Sequence, residues 1–218
     1  SNPVRYNHIF PKGTETMLPD NLTPEKRDWL NKLRKDLVIR EKLRGHDLKF
    51  NTTWGLFSPK GIDEGTRLLL EYIEIDEDAD SADLGCGYGP IGLTLAKLAP
   101  NGRHTMVDKD FMAVEYSRKN AAINHLDNVD VVLSNGFDHL DQRRFNLVVS
   151  NLPAKTGKEQ YYLYFYEAYA RLQPGGRFYV VTINGLRQFI KKSFQEIFGN
   201  YKKLKQGRAY TVAMAVKE

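Results

Sequence analysis

The sequence predicts an α/β fold built on a doubly wound, mostly parallel sheet that ends in an antiparallel hairpin. Three observations support this prediction. From residue 66 onward, short apolar stretches typical of buried strands alternate with longer stretches of helical periodicity. A glycine-rich turn follows the first of these strands and precedes a helical stretch. Near the C-terminus, Gln206-Gly207 separates two strand-like stretches, which indicates a hairpin with one strand antiparallel to the others.

The predicted strands and helices follow one another from residue 66 to residue 216. The expected strands cover residues 81–84, 104–107, 129–133, 145–150, 177–183, 201–205 and 209–216. The expected helices cover residues 66–73, 91–98, 111–125, 158–172 and 186–198. Pro174-Gly175-Gly176 is expected to stop the fourth of these helices, because neither residue type continues a helix well.

The N-terminal region has a different character. Residues 1–22 are rich in proline and in glycine with polar neighbours, which is typical of an extended arm. Thr23-Pro24-Glu25 then indicates a helix start, with an N-cap, a proline in the first position and an acid in the first turn. Basic residues recur over residues 26–49, so we expect a basic helix there. The leucines expected to form its buried face are Leu30, Leu33 and Leu37.

Composition and charge exclude several classes of protein. The single cysteine, Cys86, excludes an internal disulfide and favours a reducing compartment. No apolar run approaches the roughly 18 residues of a membrane helix, and the 5 histidines show no metal-ligand spacing. We therefore expect a cytoplasmic protein without a metal site. The net charge of +5 gives modest support to an anionic partner.

Residues 82–92, with the sequence ADLGCGYGPIG, are the most informative stretch of the chain. Gly85, Gly87 and Gly89 stand at alternate positions between a predicted strand and a predicted helix. Without Cβ atoms the backbone can lie directly against a ligand, and the N–H groups at a helix start can hold a negative group. The turn could also be a plain strand–helix junction. We interpret it as a site for a nucleotide-like cofactor.

Two acidic residues bear on the identity of that cofactor. Asp108 ends the second predicted strand, where a carboxylate can accept hydrogen bonds from both ribose hydroxyls of an adenosine-containing cofactor. Residues 87–92 also match the dinucleotide fingerprint, so an NAD enzyme stays an alternative. Asp83 argues against it, because its negative charge would lie close to a pyrophosphate. A carboxylate there suits the ammonium group of a methionine moiety.

These motifs together resemble those of class I S-adenosylmethionine-dependent methyltransferases of the small-domain family, which includes ribosomal RNA guanine-N2 methyltransferases. The resemblance runs from about Leu43 to the C-terminus. The matching stretches are Gly55-Leu56-Phe57-Ser58, residues 61–66, residues 83–89, Asp108, Ser150-Asn151-Leu152-Pro153 and Gly157-Lys158-Glu159. It implies S-adenosyl-L-methionine as cofactor and a Rossmann-like sheet of seven strands. We expect a methyltransferase catalytic domain over residues 51–218 and an N-terminal arm with a basic helix over residues 1–50.

The resemblance also implies roles for individual residues at the cofactor. The methionine end is expected to be held by Asp83, Gly85 and Gly87, and the ribose by Asp108. The adenine is expected to be bordered by Asn135 and Gly136. The pocket is expected to be closed from its N-terminal side by Phe57, Asp63 and Thr66.

Asn151, Leu152 and Pro153 are the predicted catalytic residues. The Asn151 side-chain oxygen and the Leu152 carbonyl would accept hydrogen bonds from a target amine, while Pro153 removes a competing donor and stiffens the loop. The family's usual tetrapeptide is Asn-Pro-Pro-aromatic, so this chain departs from it at Leu152 and Ala154. The aromatic residue normally stacks on the target ring. We therefore expect Trp54 or Phe57 to supply the stacking surface.

The predicted function is S-adenosylmethionine-dependent N-methylation of an exocyclic base amine in RNA, with guanine N2 of ribosomal RNA preferred. Methylation of a protein glutamine or a small molecule is an alternative within enzymes. A non-catalytic RNA-binding factor that retains the cofactor fold is an alternative of another class. Seven basic residues and one acidic residue lie between Arg187 and Arg208. They form either a phosphate-binding surface or an ordinary solvated face.

Overall fold

A computed structural model describes residues 17–218, so most of the arm predicted for residues 1–22 lies outside the described residues. The chain divides into two compact units between Lys35 and Asp36. The domain boundary predicted at residue 50 stays a prediction. No helix within residues 17–218 combines the length and the apolarity that crossing a membrane requires.

The described part of the first unit contains helix α1, Pro24–Leu33. Its start is as predicted, because Thr23 Oγ1 accepts a hydrogen bond from the Lys26 N–H at 3.2 Å and proline occupies the first turn. The predicted burial of its leucines is wrong, since no residue of α1 is buried and Leu33 is 48% exposed. Helical spacing creates an apolar face but supplies no surface to cover it.

The predicted basic helix does not continue beyond α1. Residues 37–52 instead form an antiparallel hairpin of two strands, β1 (Leu37–Leu43) and β2 (His46–Thr52). Arg44 and Gly45 at its turn have φ values of 51° and 83°, which is the backbone that a two-residue hairpin turn needs. Along β2, buried Leu48 and Phe50 alternate with exposed lysine and aspartate, a period of two that overrides the basic composition.

The rest of the second unit forms a seven-stranded sheet with helices on both faces, which confirms the predicted fold. The elements are α2 (Glu64–Tyr72), β3 (Ser81–Leu84), α3 (Pro90–Leu98), β4 (His104–Asp108), α4 (Phe111–Ile123), β5 (Val129–Leu133), β6 (Phe145–Asn151), α5 (Lys158–Arg171), β7 (Leu172–Ile183), a 3₁₀ turn (Asn184–Leu186), α6 (Arg187–Phe198), β8 (Lys202–Gln206) and β9 (Tyr210–Val216). The strand order is β5-β4-β3-β6-β7-β9-β8, and β9 is antiparallel to both of its neighbours.

The sheet separates two apolar cores. Successive residues of β6 contribute to opposite cores, Val148 to one and Val149 to the other. Helices α2, α3 and α4 pack on one side, while α5 and α6 cover the other with a cluster of phenylalanines. Strand order reverses between β3 and β6, so their carboxyl ends flank the crevice where open α/β sheets bind ligands.

Strand β7 begins earlier than predicted. Leu172 pairs with Phe145 and Arg177 with Leu147, so the intervening residues form an irregularity within the strand. Gly175 has a φ of 81°, and a Cβ on Gly176 would lie 2.8 Å from the carbonyl oxygen of Gln173. The Pro-Gly-Gly sequence therefore follows the end of α5, as predicted, but it does so inside β7.

Candidate active site

A cavity of about 600 Å³ lies at the carboxyl ends of β3, β4 and β6, where the strand order reverses. Ten of the twelve predicted site residues line it, and the exceptions are Asp83 and Asn135. No group of three or more histidine, cysteine, aspartate or glutamate side chains within residues 17–218 could hold a metal ion. Glycine backbone, carboxylates and amides are among the groups that line the cavity.

The glycine turn forms one wall of this cavity. Gly85 and Gly87 have φ values of 74° and 57°, a conformation that strains other residues. A Cβ on either glycine would meet nothing within 4 Å, so the backbone borders open space on the cavity side. The N–H groups of Gly85 and Cys86 both donate to the Val107 carbonyl at 2.9 Å, which ties the turn to the end of β4. A ligand can approach this backbone closely.

Asp108 lines the cavity at the end of β4. Its Oδ2 accepts a hydrogen bond from the Gly87 N–H and its Oδ1 accepts one from the Asp110 N–H, both at 2.9 Å. These donors fix the orientation of the carboxylate, and each oxygen retains a lone pair for a further donor. The arrangement fits a ribose diol bound beside the glycine turn.

Asp83 lies behind the turn and is only 1% exposed. Its Oδ2 accepts a hydrogen bond at 2.9 Å from the N–H of Gly92, in the first turn of α3. The N-cap of α3 is Gly89, which has no side chain, so Asp83 caps this helix from the neighbouring strand. Its Oδ1 has no hydrogen-bond partner among the described residues. The role of Asp83 at the methionine end stays a prediction, although a cationic ammonium would satisfy this orphaned oxygen.

The buried carboxyl of Asp83 predicts a pH dependence of stability. Burial, with a smaller contribution from the charge of Asp108, raises the pKa of Asp83 from 3.8 to about 7. The folded state thus holds a proton that the unfolded state releases at lower pH. Relative to Asp83→Asn, the free energy of unfolding of the wild type should fall by on the order of 4 kcal/mol as pH rises from about 4 to 7, and then level off. Urea unfolding of both proteins across this range measures it, and a pH-independent difference would contradict it.

Asn151 ends β6 and is held by the start of α2. Its Nδ2 donates to Asp63 Oδ2 at 2.9 Å and to Thr66 Oγ1 at 3.0 Å. Asp63 is also the N-cap of α2 and accepts from the Thr66 N–H at 3.2 Å, so this helix begins two residues before its predicted start. Asp63 and Thr66 line the cavity as predicted, but in addition they orient the Asn151 amide.

The two residues after Asn151 leave only acceptors at the cavity. The Leu152 N–H donates to the Val181 carbonyl at 3.0 Å, and Pro153 has no N–H. The Pro153 carbonyl accepts the hydroxyl of Tyr161. Within residues 17–218, neither Asn151 Oδ1 nor the Leu152 carbonyl has a donor of its own. Two acceptors without a competing donor suit the two N–H bonds of an amine.

Tyr88, which sequence reasoning did not single out, anchors the segment that closes the cavity. Its buried hydroxyl donates to the carbonyls of Ser58 at 3.1 Å and Gly61 at 3.2 Å. Burial, helped by the charge of Asp63, raises the pKa of Tyr88 to about 12, so the hydroxyl keeps its proton. Phe57 beside this anchor is 68% exposed and lines the cavity, whereas Trp54 does not line it. Of the two stacking residues predicted, only Phe57 is thus in position.

Of the two residues predicted to border the adenine, Gly136 lines the cavity and Asn135 does not. Gly136 lines the cavity with a φ of 57°, and a Cβ there would lie 2.6 Å from Glu167 Oε2. Asn135 is exposed and does not line the cavity, where its neighbour Ser134 takes its place. Glu167 accepts a hydrogen bond from the Phe137 N–H at 3.2 Å and supports this turn from α5. No signal in the sequence links Glu167 to the turn, because the contact depends on how α5 crosses the sheet.

Helix α4 holds the glycine turn from the opposite side. Ser117 Oγ donates to the Gly87 carbonyl at 2.7 Å, and Asn120 Nδ2 donates to the Tyr88 carbonyl at 2.8 Å. Asn120 also exchanges hydrogen bonds with the backbone of Asn51 in β2, at 2.6 and 3.0 Å. The hairpin that was predicted as a helix is therefore joined to the cavity wall through α4.

Comparison with known proteins agrees with this site. The family model described as methyltransferase small domain matches residues 47–214. A Bacillus subtilis (strain 168) protein called uncharacterized protein YbxB is 32% identical over 180 residues, which cover 81% of this chain and 89% of that protein.

Two solved structures show the same architecture. The T. thermophilus 16S rRNA N2 G1207 methyltransferase (RsmC), solved with AdoMet and guanosine, superposes with a TM-score of 0.76 and 26% identity over 84% of this chain. The match covers 51% of that protein, so this chain spans about half of its length. A methyltransferase from Pyrococcus furiosus, at 24% identity and a TM-score of 0.62 over 75% of this chain and 90% of its own, shares the fold.

The glycine turn, the carboxylate at the end of β4 and the cavity between them fit an adenosyl sulfonium cofactor. The family match decides for this cofactor over a dinucleotide. The chain belongs to the methyltransferase small domain family, and it is an S-adenosyl-L-methionine-dependent methyltransferase.

Proposed function

We propose that this enzyme methylates an exocyclic amine of an RNA base, with guanine N2 of ribosomal RNA as the preferred target. The observation that carries the proposal is the orientation of Asn151. Because its amide nitrogen is used by Asp63 and Thr66, its oxygen and the Leu152 carbonyl remain as a pair of acceptors. A cytoplasmic location belongs to the same proposal, since a single cysteine suits a reducing compartment.

Asn151 and Leu152, at the end of β6, would act by positioning the nucleophile, which is the nitrogen of the target amine. The bound cofactor supplies a methyl group that is already activated on a sulfonium. Asn151 Oδ1 and the Leu152 carbonyl would each accept one N–H of the target amine, which holds its nitrogen in line and favours a pyramidal lone pair. Such positioning can contribute up to roughly 7–11 kcal/mol to the lowering of the barrier. No strong base is needed, because the amine proton can leave after methyl transfer.

The cofactor would lie along the wall formed by the glycine turn and the end of β4. We assign the ribose hydroxyls to Asp108, the methionine end to the backbone at Gly85 and Gly87, and the adenine border to Gly136. Asp63 and Thr66 act in this proposal chiefly through Asn151. The reported target of the T. thermophilus protein, an N2 of 16S rRNA, supports guanine N2 as the amine.

Basic residues at the cavity end of the sheet support an RNA substrate. Tyr210 pairs with Ile183, and both line the cavity, so the turn before β9 and the start of α6 lie at this edge. The Asn184 side chain donates to the Arg208 carbonyl at 3.0 Å, and Arg187 donates to the Asn184 carbonyl at 2.8 Å. Arg187 and Arg208, which we call the rim arginines, can contact phosphates while a base enters the pocket.

The function is tested by incubating the enzyme with methyl-labelled cofactor and a total cell extract, which is then separated into RNA and protein. We expect label in the RNA, recovered as N2-methylguanosine after digestion to nucleosides. Label confined to protein or small molecules would establish the enzymatic alternative instead. Cofactor binding without transfer to any fraction would identify a non-catalytic factor.

Neutralising the rim arginines should reduce the salt dependence of RNA binding. For the double variant Arg187→Gln and Arg208→Gln, the slope of log K against log salt should decrease in magnitude by about 1.4 on single-stranded RNA. The control is Lys202→Gln with Lys203→Gln, which removes the same charge from the far end of β8. Lys202 pairs with Met214, four residues beyond Tyr210, or about 13 Å from the cavity edge. A slope for the arginine variant that equals the wild-type slope would exclude the rim arginines as phosphate contacts.

A further inference from the structure

A row of three hydrogen-bonded side chains lines the cavity, and the proposed reaction does not yet use it. Thr156 precedes α5, Gln160 lies in its first turn, and Tyr164 lies one turn further along. Thr156 Oγ1 donates to Gln160 Oε1 at 2.7 Å, and Gln160 Nε2 donates to the hydroxyl oxygen of Tyr164. The row thus runs from the loop after Asn151 onto the first turns of α5.

The direction of these hydrogen bonds determines what Tyr164 offers to a ligand. An amide oxygen only accepts, so the Thr156 hydroxyl must be the donor in the first bond. An amide nitrogen only donates, so the Tyr164 oxygen must accept in the second. The Tyr164 hydroxyl therefore still has its own proton to donate, and it has no acceptor for this proton among the described residues. The row ends in a donor at the cavity.

This donor is held in place relative to the acceptors at Asn151 and Leu152. The Tyr161 hydroxyl donates to the Pro153 carbonyl, which joins α5 to the loop after β6. Tyr161 and Phe165, which flank Tyr164 on the helix, are buried in the core with exposures of 1% and 0%. The cavity consequently presents two acceptors from the loop and one donor from α5, on a rigid frame.

We propose that Tyr164 is a specificity-determining residue that donates a hydrogen bond to the keto oxygen of the target base. This inference rests on the proposed function. Guanine carries an amine at N2 and a keto oxygen at O6, so its edge matches two acceptors and one donor. Adenine carries an amine and no keto oxygen. In a base with an amine in place of O6, an N–H group would face the Tyr164 hydroxyl proton. Neither of these two donors would then have an acceptor. Gln160 is a positioning residue, because it acts by turning the Tyr164 proton toward the cavity.

The test compares two free nucleosides as probes, guanosine and 2,6-diaminopurine riboside, which differ at the 6-position and in protonation at N1. Each is titrated into protein saturated with S-adenosylhomocysteine, and the dissociation constant is measured by NMR. We expect the wild type to bind guanosine about tenfold more tightly than 2,6-diaminopurine riboside. Guanosine gains a hydrogen bond from Tyr164, whereas the 6-amino group of the other nucleoside places a donor against a donor. Tyr164→Phe should reduce this ratio to about one while retaining the ring.

Gln160→Glu is the sharper variant, because it preserves the Tyr164 hydroxyl. A carboxylate only accepts, so Tyr164 must donate to it and its proton turns away from the cavity. The guanosine preference should be lost here too. The ratio within one variant cancels any general effect of the new charge. Tyr166→Phe is the matched control, since Tyr166 is exposed on the same helix outside the cavity, and it should keep the tenfold preference.

The outcomes separate the two proposals. Binding of neither nucleoside overturns the assignment to Tyr164, whereas the proposed function fails only if the labelling experiment transfers no methyl group to RNA. If the wild type prefers guanosine but Tyr164→Phe keeps the same preference, the function stands and the assignment to Tyr164 is overturned. Equal binding of both nucleosides by the wild type also overturns the assignment.

Discussion

Asn151→Ala is expected to lower the rate of methyl transfer by about 100-fold or more, while the affinity for S-adenosyl-L-methionine stays within about twofold. The side chain of Asn151 supplies one of the two acceptors at the proposed amine site, and nothing else on the loop replaces its oxygen. The cofactor wall at the glycine turn and Asp108 is built from other residues. Single-turnover transfer and calorimetric titration measure the two quantities separately.

Two further variants sharpen this experiment. Asn151→Asp retains an acceptor, but its carboxylate would face that of Asp63, which now lies 2.9 Å from the Asn151 nitrogen. We expect it to lose activity as well, because like charges at this distance repel. Asn146→Ala is the control, since Asn146 lies on the same strand at the opposite end from the cavity. A mutant Asn151→Ala that keeps most of its rate would refute the proposed positioning of the amine.

Asp108→Ala is expected to weaken cofactor binding by about 100-fold, the equivalent of about 3 kcal/mol. The variant removes a charged acceptor from the proposed ribose site, and it also frees the Gly87 N–H that the carboxylate holds at 2.9 Å. Hydrogen bonds to a charged group are stronger than those between neutral groups, so a single carboxylate can account for this loss. Calorimetry of the variant with S-adenosyl-L-methionine measures it.

Asp110→Ala is the matched control for Asp108→Ala. Asp110 caps α4 by accepting from the Met112 N–H at 2.8 Å, and it does not line the cavity. Its loss should reduce the free energy of unfolding by about 1 kcal/mol, as for other N-caps, with little effect on cofactor affinity. Unchanged affinity in Asp108→Ala would remove Asp108 from the ribose role.

Much of the sheet could be predicted from local patterns. The strands of the main sheet, the hairpin between β8 and β9 and the helix after the glycine turn all lie near their predicted positions. The hairpin of β1 and β2 was missed although Leu48 and Phe50 alternate there with polar residues. The basic composition of residues 26–49 favoured a continuous helix, whereas the turn at Arg44-Gly45 and the alternation decide the structure.

The residues that line the cavity were predicted more completely than the hydrogen bonds that hold them in place. Residues at strand ends meet at one edge of a parallel sheet, so Asp108 and Asn151 could be expected at a common site. The contact between Asp63 and Asn151 spans 88 residues, and no periodicity or motif spacing indicates it. The same holds for Asp83, whose carboxyl also caps α3 from β3, a contact that no local pattern indicates.

Apart from the hairpin of β1 and β2, the sequence by itself determined where strands, helices and tight turns lie, because periodicity, capping and glycine conformation depend on residues close together in the chain. Only the tertiary structure decided which atoms of the site remain available to a ligand. That choice depends on which donor meets which acceptor once α2 and α5 pack on the sheet. The free oxygen of Asn151 and the free hydroxyl proton of Tyr164 both follow from such contacts.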